Sequence, residues 1–200
     1  MSDEILTPDL VKAFWAHMQK EFGSYAVQKD NSEIMKIASE VLDALHIQNK
    51  EHFMKDFVTT LDKTIYIPFE LGSNVDRWPL WNQIRVCVHE HQHVEQAGRE
   101  GLPTFAMRYL TSASFRAGYE AEAFGTEIEM EFWRTGQIYD IDSRVLVLKD
   151  YNCSDADIEM AKQMMTIRAG VVQQGAIESR AAIIAINWLE ENVPGLQIVP

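Results

Sequence analysis

Cysteine is scarce in this chain: only Cys87 and Cys153 occur among its 200 residues. They stand far apart and without metal-ligand spacing, which excludes a disulfide scaffold and suits a reducing compartment. Positive charge is short as well, with 18 Lys and Arg against 30 Asp and Glu for a net charge of -12. A phosphate backbone is bound through a basic face, so nucleic acid and anionic membrane are poor partners for this chain. No stretch approaches the length of apolar residues that spans a bilayer, and the opening "MSDEILTPDL" lacks a basic region leading into an apolar run. The expectation is a cytoplasmic protein that works in solution. No repeat, low-complexity tract or linker divides the chain, and 46% hydrophobic residues over this length fit one domain across 1–200.

Helical periodicity dominates what is present. Thr7 and Pro8 read as an N-cap and first helical position, followed by Leu10, Val11, Phe14, Trp15 and Met18 on one face until Gly23. After the polar break "QKDN", Ser32 caps a second helix with Ile34, Ile37, Ala38, Val41, Leu42 and Leu45 at core spacing, and a further helix is expected around 50 to 61. "KTIYIPFE" changes character, since β-branched and aromatic residues dominate and Pro68 excludes a central-strand interior; it reads as a short edge-like strand. "LGSNVDRWP" is loop, and Pro79 opens the helix "LWNQIRVCVHEHQHVEQA", with Gly98 as its stop. Helix returns at "TFAMRYL" and through "FRAGYEAEAFGTEIEMEFWR" to Gly136, before an irregular strand or loop at "YDIDSRVLVLKDY". Ser154 with Asp157 starts a final long helix, interrupted near Gly170 or Gly175. Cys87 reads as a small core residue. The fold class expected is α+β and predominantly helical.

Three of the six histidines fall within "VCVHEHQHVEQ". A helix turns about 100° per residue, so His89 and His93 share a face while His91 points away and packs or hydrogen-bonds elsewhere. The pattern is H-E-x-x-H, in which two imidazoles converge on a metal and Glu90 lies beside them. Neutral imidazoles leave the charge of Zn2+ largely intact, and that charge brings a bound water's pKa down towards neutrality. Glu90 is then placed to act as general base and later as acid. The bland alternative is a histidine-rich solvated helix face. His17, His46 and His52 show no convergent spacing.

A catalytic site needs a third protein ligand. "GYEAEAFGTEIEMEFW" offers Glu120, Glu122, Glu127, Glu129 and Glu131, although such runs usually form a solvated acidic face. Glu120 and Glu122 lie on nearly opposite sides of a helix, so only one can serve.

The segments "HEHQHVEQAG", "FAMRYL" and "YEAEA" resemble small zincin-like domains of phage and bacterial proteins, whose pattern reads H-E-x-x-H-x-x-Q, an aromatic-rich stretch, then Y followed by E-x-E-A. From about 62 to 135 the chain is similar to zincin metallopeptidases of the gluzincin type. That resemblance implies a zincin-like core with a small sheet, a motif helix and a ligand helix, flanked by helical extensions at both ends. It also implies Glu120 as third zinc ligand, because Ala123 stands three residues on, with Glu122 as the rival. Several gluzincins carry an aspartate four residues after the ligand, where it supports a histidine; Phe124 stands there in this chain, which leaves Glu127 or a backbone carbonyl for that role. Tyr109, Tyr119, Tyr139 and Arg116 are candidate oxyanion donors by position.

The leading expectation is a zinc-dependent peptidase acting on a peptide or protein, with "KTIYIPFE" offering its edge to an extended substrate as far as Pro68 allows. The alternative is a catalytically inactive zincin-like domain with a structural or partner-binding role, in which a fourth protein ligand would close the zinc shell.

Overall fold

The computed structural model describes residues 5–44, 50–75 and 77–198, with all of their side chains except those of Ala38, Val41, Leu42, Ala44 and His52. The positions expected for Leu45 and His46 lie outside the described residues. The architecture is α+β and mainly helical. Helix α1 (Pro8–Phe22) leads into β1 (Tyr25–Gln28), then come α2 (Glu33–Ala44), α3 (Lys50–Asp56), β2 (Thr59–Leu61), β3 (Thr64–Ile67), α4 (Leu80–Glu100), α5 (Leu102–Thr111), α6 (Ala113–Thr135), α7 (Ile141–Val145), α8 (Asp155–Gln173) and α9 (Arg180–Asn192).

Local signals account for most of the helix ends. The Thr7 hydroxyl accepts from Leu10 N, and Gly23 closes α1 in the left-handed region at φ 62°. Ser154 and Asp157 cap α8 reciprocally. Gly98 does not stop the motif helix: α4 continues to Glu100, and Gly101 at φ 82° makes the turn into α5. One helical glycine costs only about 1 kcal/mol, less than the packing of α4 returns, whereas Gly101 takes a backbone angle that other residues resist. "YDIDSRVLVLKDY" is not strand. Asp140 accepts from Asp142 N and Ser143 N and so starts α7, which runs on as a 3-10 turn over Leu146–Lys149. The final helix is broken at Gly175 (φ 88°) into α8 and α9.

The sheet corrects two expectations. Its order is β1-β3-β2, with β1 parallel and β2 antiparallel to β3. The segment expected to be an edge is therefore the middle strand, and Pro68 lies just past its end. The helix expected to reach residue 61 stops at Asp56, because Val58, Thr59 and Thr60 are β-favouring and the turn at Asp62 and Lys63 folds β2 back along β3. β1 was hidden in four residues whose Tyr25 and Val27 face outward.

Helix α4 runs through the middle of the molecule, against α1 and α9 on one side and α6 on the other. Its Ile84, Cys87 and Val88 join Phe14, Trp15 and Met18 of α1 in the main core, as the reading of Cys87 anticipated. Helix α6 is sandwiched between α4 and α8; Ala117, Ala121, Phe124 and Ile128 join residues of α7 and α8 in a second core, with the Phe124 ring centre also 5.3 Å from that of His89, and the absence of a side chain at Gly125 admits Arg168 closely. Among the described residues no helix is long and apolar enough to cross a membrane.

Glu129 anchors this arrangement. Fully buried, it accepts from Arg168 Nη1 at 3.0 Å and from the backbone of Glu178 and Ser179 at the start of α9, and it also takes the Ser179 hydroxyl. Removing one member of a buried ionic cluster strands the others without partners. Glu129→Ala is expected to lower the unfolding free energy by about 3 kcal/mol in urea titration; a loss below about 1 kcal/mol would mean that α9 docks without this cap.

Candidate metal centre

Helix α4 brings His89 and His93 to one face, one turn apart, with ring centroids 4.9 Å from each other. Glu120 reaches them from α6: its Oε2 lies 3.4 Å from His89 Nε2 and its Oε1 3.5 Å from His93 Nε2. All three are buried, and their ligating atoms lie within 4.8 Å of one another. A tetrahedral zinc with bonds near 2.0–2.1 Å spaces its ligand atoms about 3.3–3.4 Å apart. The observed spacing suits that geometry better than direct hydrogen bonding.

The outer nitrogens face partners. His89 Nδ1 lies 2.8 Å from Glu127 Oε1 as an ion-pair contact, and His93 Nδ1 donates to Gln96 Oε1 at 2.8 Å. Both imidazoles thus turn Nε2 towards Glu120, the tautomer a metal requires. Gln96 is itself fixed, since its amide donates to Tyr119 O and Glu122 Oε2. Glu127, two turns along α6 from Glu120, receives Arg144 at 2.6 Å and takes the supporting place that Phe124 cannot fill. Glu120 Oε2 has no hydrogen-bond donor of its own, a buried lone pair aimed at the imidazoles.

The electrostatics favour a cation. Burial opposes protonation of His89, but the carboxylates of Glu120 and Glu127 outweigh it and raise the imidazole to about 10. His93 moves upward in the same way, burial being overcome by Glu120. Burial likewise works against charge on Glu120, yet His93 and His89 hold its carboxyl well below the usual range; Arg144 and His89 do so for Glu127. A divalent cation would take over from the imidazole protons. The donor set of two imidazoles and a carboxylate therefore fits zinc.

Glu122 does not join the group. Arg99 grips both its oxygens, at 3.0 and 3.1 Å, and Gln92 donates to it as well. The acidic run is also not a solvated face, since Glu120, Glu127 and Glu129 are buried. His91 packs against Phe22 on the far side of α4, donating from Nδ1 to Cys87 O at 2.6 Å and accepting from the Ser24 hydroxyl at 2.8 Å. Burial pushes it down to about 4, the Cys87 carbonyl pulling weakly the other way, so it stays neutral. His17 lies beside Trp188, His46 is outside the described residues, and the side chain of His52 is too.

The triad opens onto a cavity of about 290 Å³. Glu90, also on its wall, accepts a 2.6 Å hydrogen bond from the Thr60 hydroxyl of β2. Of the four candidate oxyanion donors, only Tyr109 lines the cavity, where its hydroxyl donates to Glu120 Oε1 at 2.7 Å. Tyr119 instead donates to Glu100 and Tyr139 to Phe124 O, while Arg116 is spent on the carbonyls of Tyr109 and Tyr151. Sequence reasoning did not single out Thr60 or Tyr151, which also line the cavity. Neither stands in a motif, and both arrive from segments distant along the chain.

Lys29 secures the far wall. Buried behind β2, its ammonium donates to Phe53 O, Phe57 O and the Thr59 hydroxyl, and it lies 3.6 Å from the Phe53 ring centre. Burial pushes it down to about 7, with Glu90 and Asp30 acting in the opposite direction.

Gln96→Met keeps the volume of Gln96 but removes the acceptor for His93. Zinc affinity is expected to fall about 10- to 100-fold in competition with a chelating dye; unchanged affinity would show that His93 is oriented by packing alone.

The chain matches no protein-family model, no curated protein and no solved structure.

Proposed function

We propose that this protein is a zinc-dependent metallopeptidase with a zincin-like core of the gluzincin type. One observation carries the reading: His89, His93 and Glu120 converge on the wall of a cavity that also holds Glu90. His89 and His93 of α4 and Glu120 of α6 would hold the zinc, which supplies Lewis acidity to the substrate carbonyl and acidity to water. Glu90 accepts the proton of the attacking water and hands it to the leaving amine. Thr60, donating to Glu90 Oε2, keeps that carboxylate turned towards the cavity. Tyr109, whose hydroxyl burial and the Glu120 charge keep protonated, lines the cavity and would donate to the developing oxyanion by giving up its bond to Glu120 Oε1.

The sheet supports the same reading with a different strand from the one the sequence suggested. β2 is at the sheet's edge and contributes Thr59, Thr60 and Leu61 to the cavity wall, so an extended peptide pairing with β2 would pass over the triad. A purely structural zinc calls for a fourth protein ligand. Among the described residues the group of His, Cys, Asp and Glu donors contains three, which leaves a position for chemistry.

The decisive experiment loads the purified protein with zinc and incubates it with an unfolded protein substrate, reading fragments by mass spectrometry. Cleavage is expected with about one equivalent of zinc bound, to stop with a chelator and to return when zinc is restored. Failure to take up zinc would end the peptidase reading.

A further inference from the structure

Building on the peptidase reading, we infer that the substrate is the interior of a polypeptide, an endopeptidase target, with a large apolar side chain seated in the cavity beside the triad. The cavity is two-faced. Its polar groups come from α4 and α6, the helices that carry His89, Glu90, His93 and Glu120. The remaining wall is made largely by Phe53 of α3, Phe57 and Val58 ahead of β2, and Phe105 and Leu110 of α5. A space of about 290 Å³ corresponds to roughly ten waters at ~30 Å³ each. Water against such a wall lacks partners, so an apolar side chain that displaces it gains the transfer free energy of its whole surface.

The charges decide against chain ends. Among the described lining residues there is no Lys or Arg. The cations nearby are committed elsewhere: Arg116 to the carbonyls of Tyr109 and Tyr151, Arg144 to Glu127, and Lys29 to Phe53 O, Phe57 O and Thr59. A C-terminal carboxylate would enter this cavity without a counter-charge, beside Glu90 and Glu120, and burying it unpaired is unfavourable. An N-terminal ammonium would be drawn to those two carboxylates but would have to displace their present partners, His89, His93 and Tyr109 from Glu120 and Thr60 from Glu90. An internal peptide bond brings neither charge, and β2's place at the sheet edge lets the chain continue past the site.

The test uses the full chain carrying Glu90→Gln and loaded with zinc, so that binding is read without turnover. Probes are N-acetylated, C-amidated hexapeptides with Phe, Leu, Ala, Asp or Lys at one central position, plus the Phe peptide shortened to end there with a free carboxylate. Binding is measured by calorimetry. The Phe and Leu peptides are expected to bind about tenfold or more tightly than the Ala peptide, and the free carboxylate and the Asp peptide to bind more weakly still. Adding Ala106→Phe, which fills the cavity from half-buried Ala106 on α5, is expected to abolish that preference while zinc content and helicity stay unchanged. Equal binding of all peptides, tighter binding of the charged or free-ended ones, or a preference that survives Ala106→Phe would overturn the inference. Cleavage by the unsubstituted protein is scored separately: apolar binding without cleavage removes the peptidase reading and leaves the apolar site, whereas cleavage without apolar preference does the reverse.

Discussion

His93→Ala is expected to lose zinc binding by at least about 100-fold, since removing even a residue that orients a ligand costs 10- to 100-fold. His89→Ala and Glu120→Ala should behave alike, because each removes one of three convergent donors. Glu122→Ala should keep its zinc, as that carboxylate is engaged by Arg99, Gln92 and Gln96 rather than by the histidines. Elemental mass spectrometry of the four purified variants, with circular dichroism to confirm folding, makes the comparison. Loss of zinc in Glu122→Ala together with retention in Glu120→Ala would refute the assignment. Equal retention in all four would place the metal elsewhere.

Glu90→Gln should separate binding from chemistry. Glutamine has the shape of glutamate and can still accept the Thr60 hydroxyl that the structure places at 2.6 Å, so the cavity and the triad are preserved. It cannot take a proton. Zinc content is therefore expected to stay at the level of the unsubstituted protein while the rate of peptide cleavage falls about 100- to 10,000-fold, the usual contribution of a positioned acid–base group. Initial rates at saturating peptide give the answer. A variant that keeps more than about a tenth of the rate would assign the proton transfer to another group, and Tyr109 and Tyr151 bring phenol hydroxyls to that wall.

Local pattern was most informative where chemistry depends on one element. The i, i+4 relation of His89 and His93, the divergence of His91 and the capping of α1 and α8 are properties of a single helix, and the structure agrees with each. The sheet was harder. β1 and β2 are only four and three residues long, too short for alternation to stand out against the helices around them. What makes them strands is pairing with β3, and pairing is a relation between distant segments. The same limit explains Gly98, whose intrinsic tendency to end a helix was overruled by the packing of α4 between its neighbours.

By itself, the sequence determined that a helix would carry two histidines and a glutamate on adjoining faces, and that a carboxylate-rich helix would follow. Helical geometry is local, so residue spacing alone dictates which side chains share a face. Only the tertiary structure decided that Glu120 rather than Glu122 meets the histidines. That choice depends on the rotation of α6 between α4 and α8, where Gly125 and Glu129 meet Arg168 of α8 and leave Glu120 and Glu127 turned towards α4. The cavity and its apolar wall were decided at the same level, because Phe53, Phe57, Phe105 and Tyr151 belong to separate segments. The rotation of one helix is set by the apolar area buried on its other face, a quantity that exists only once its neighbours are in place.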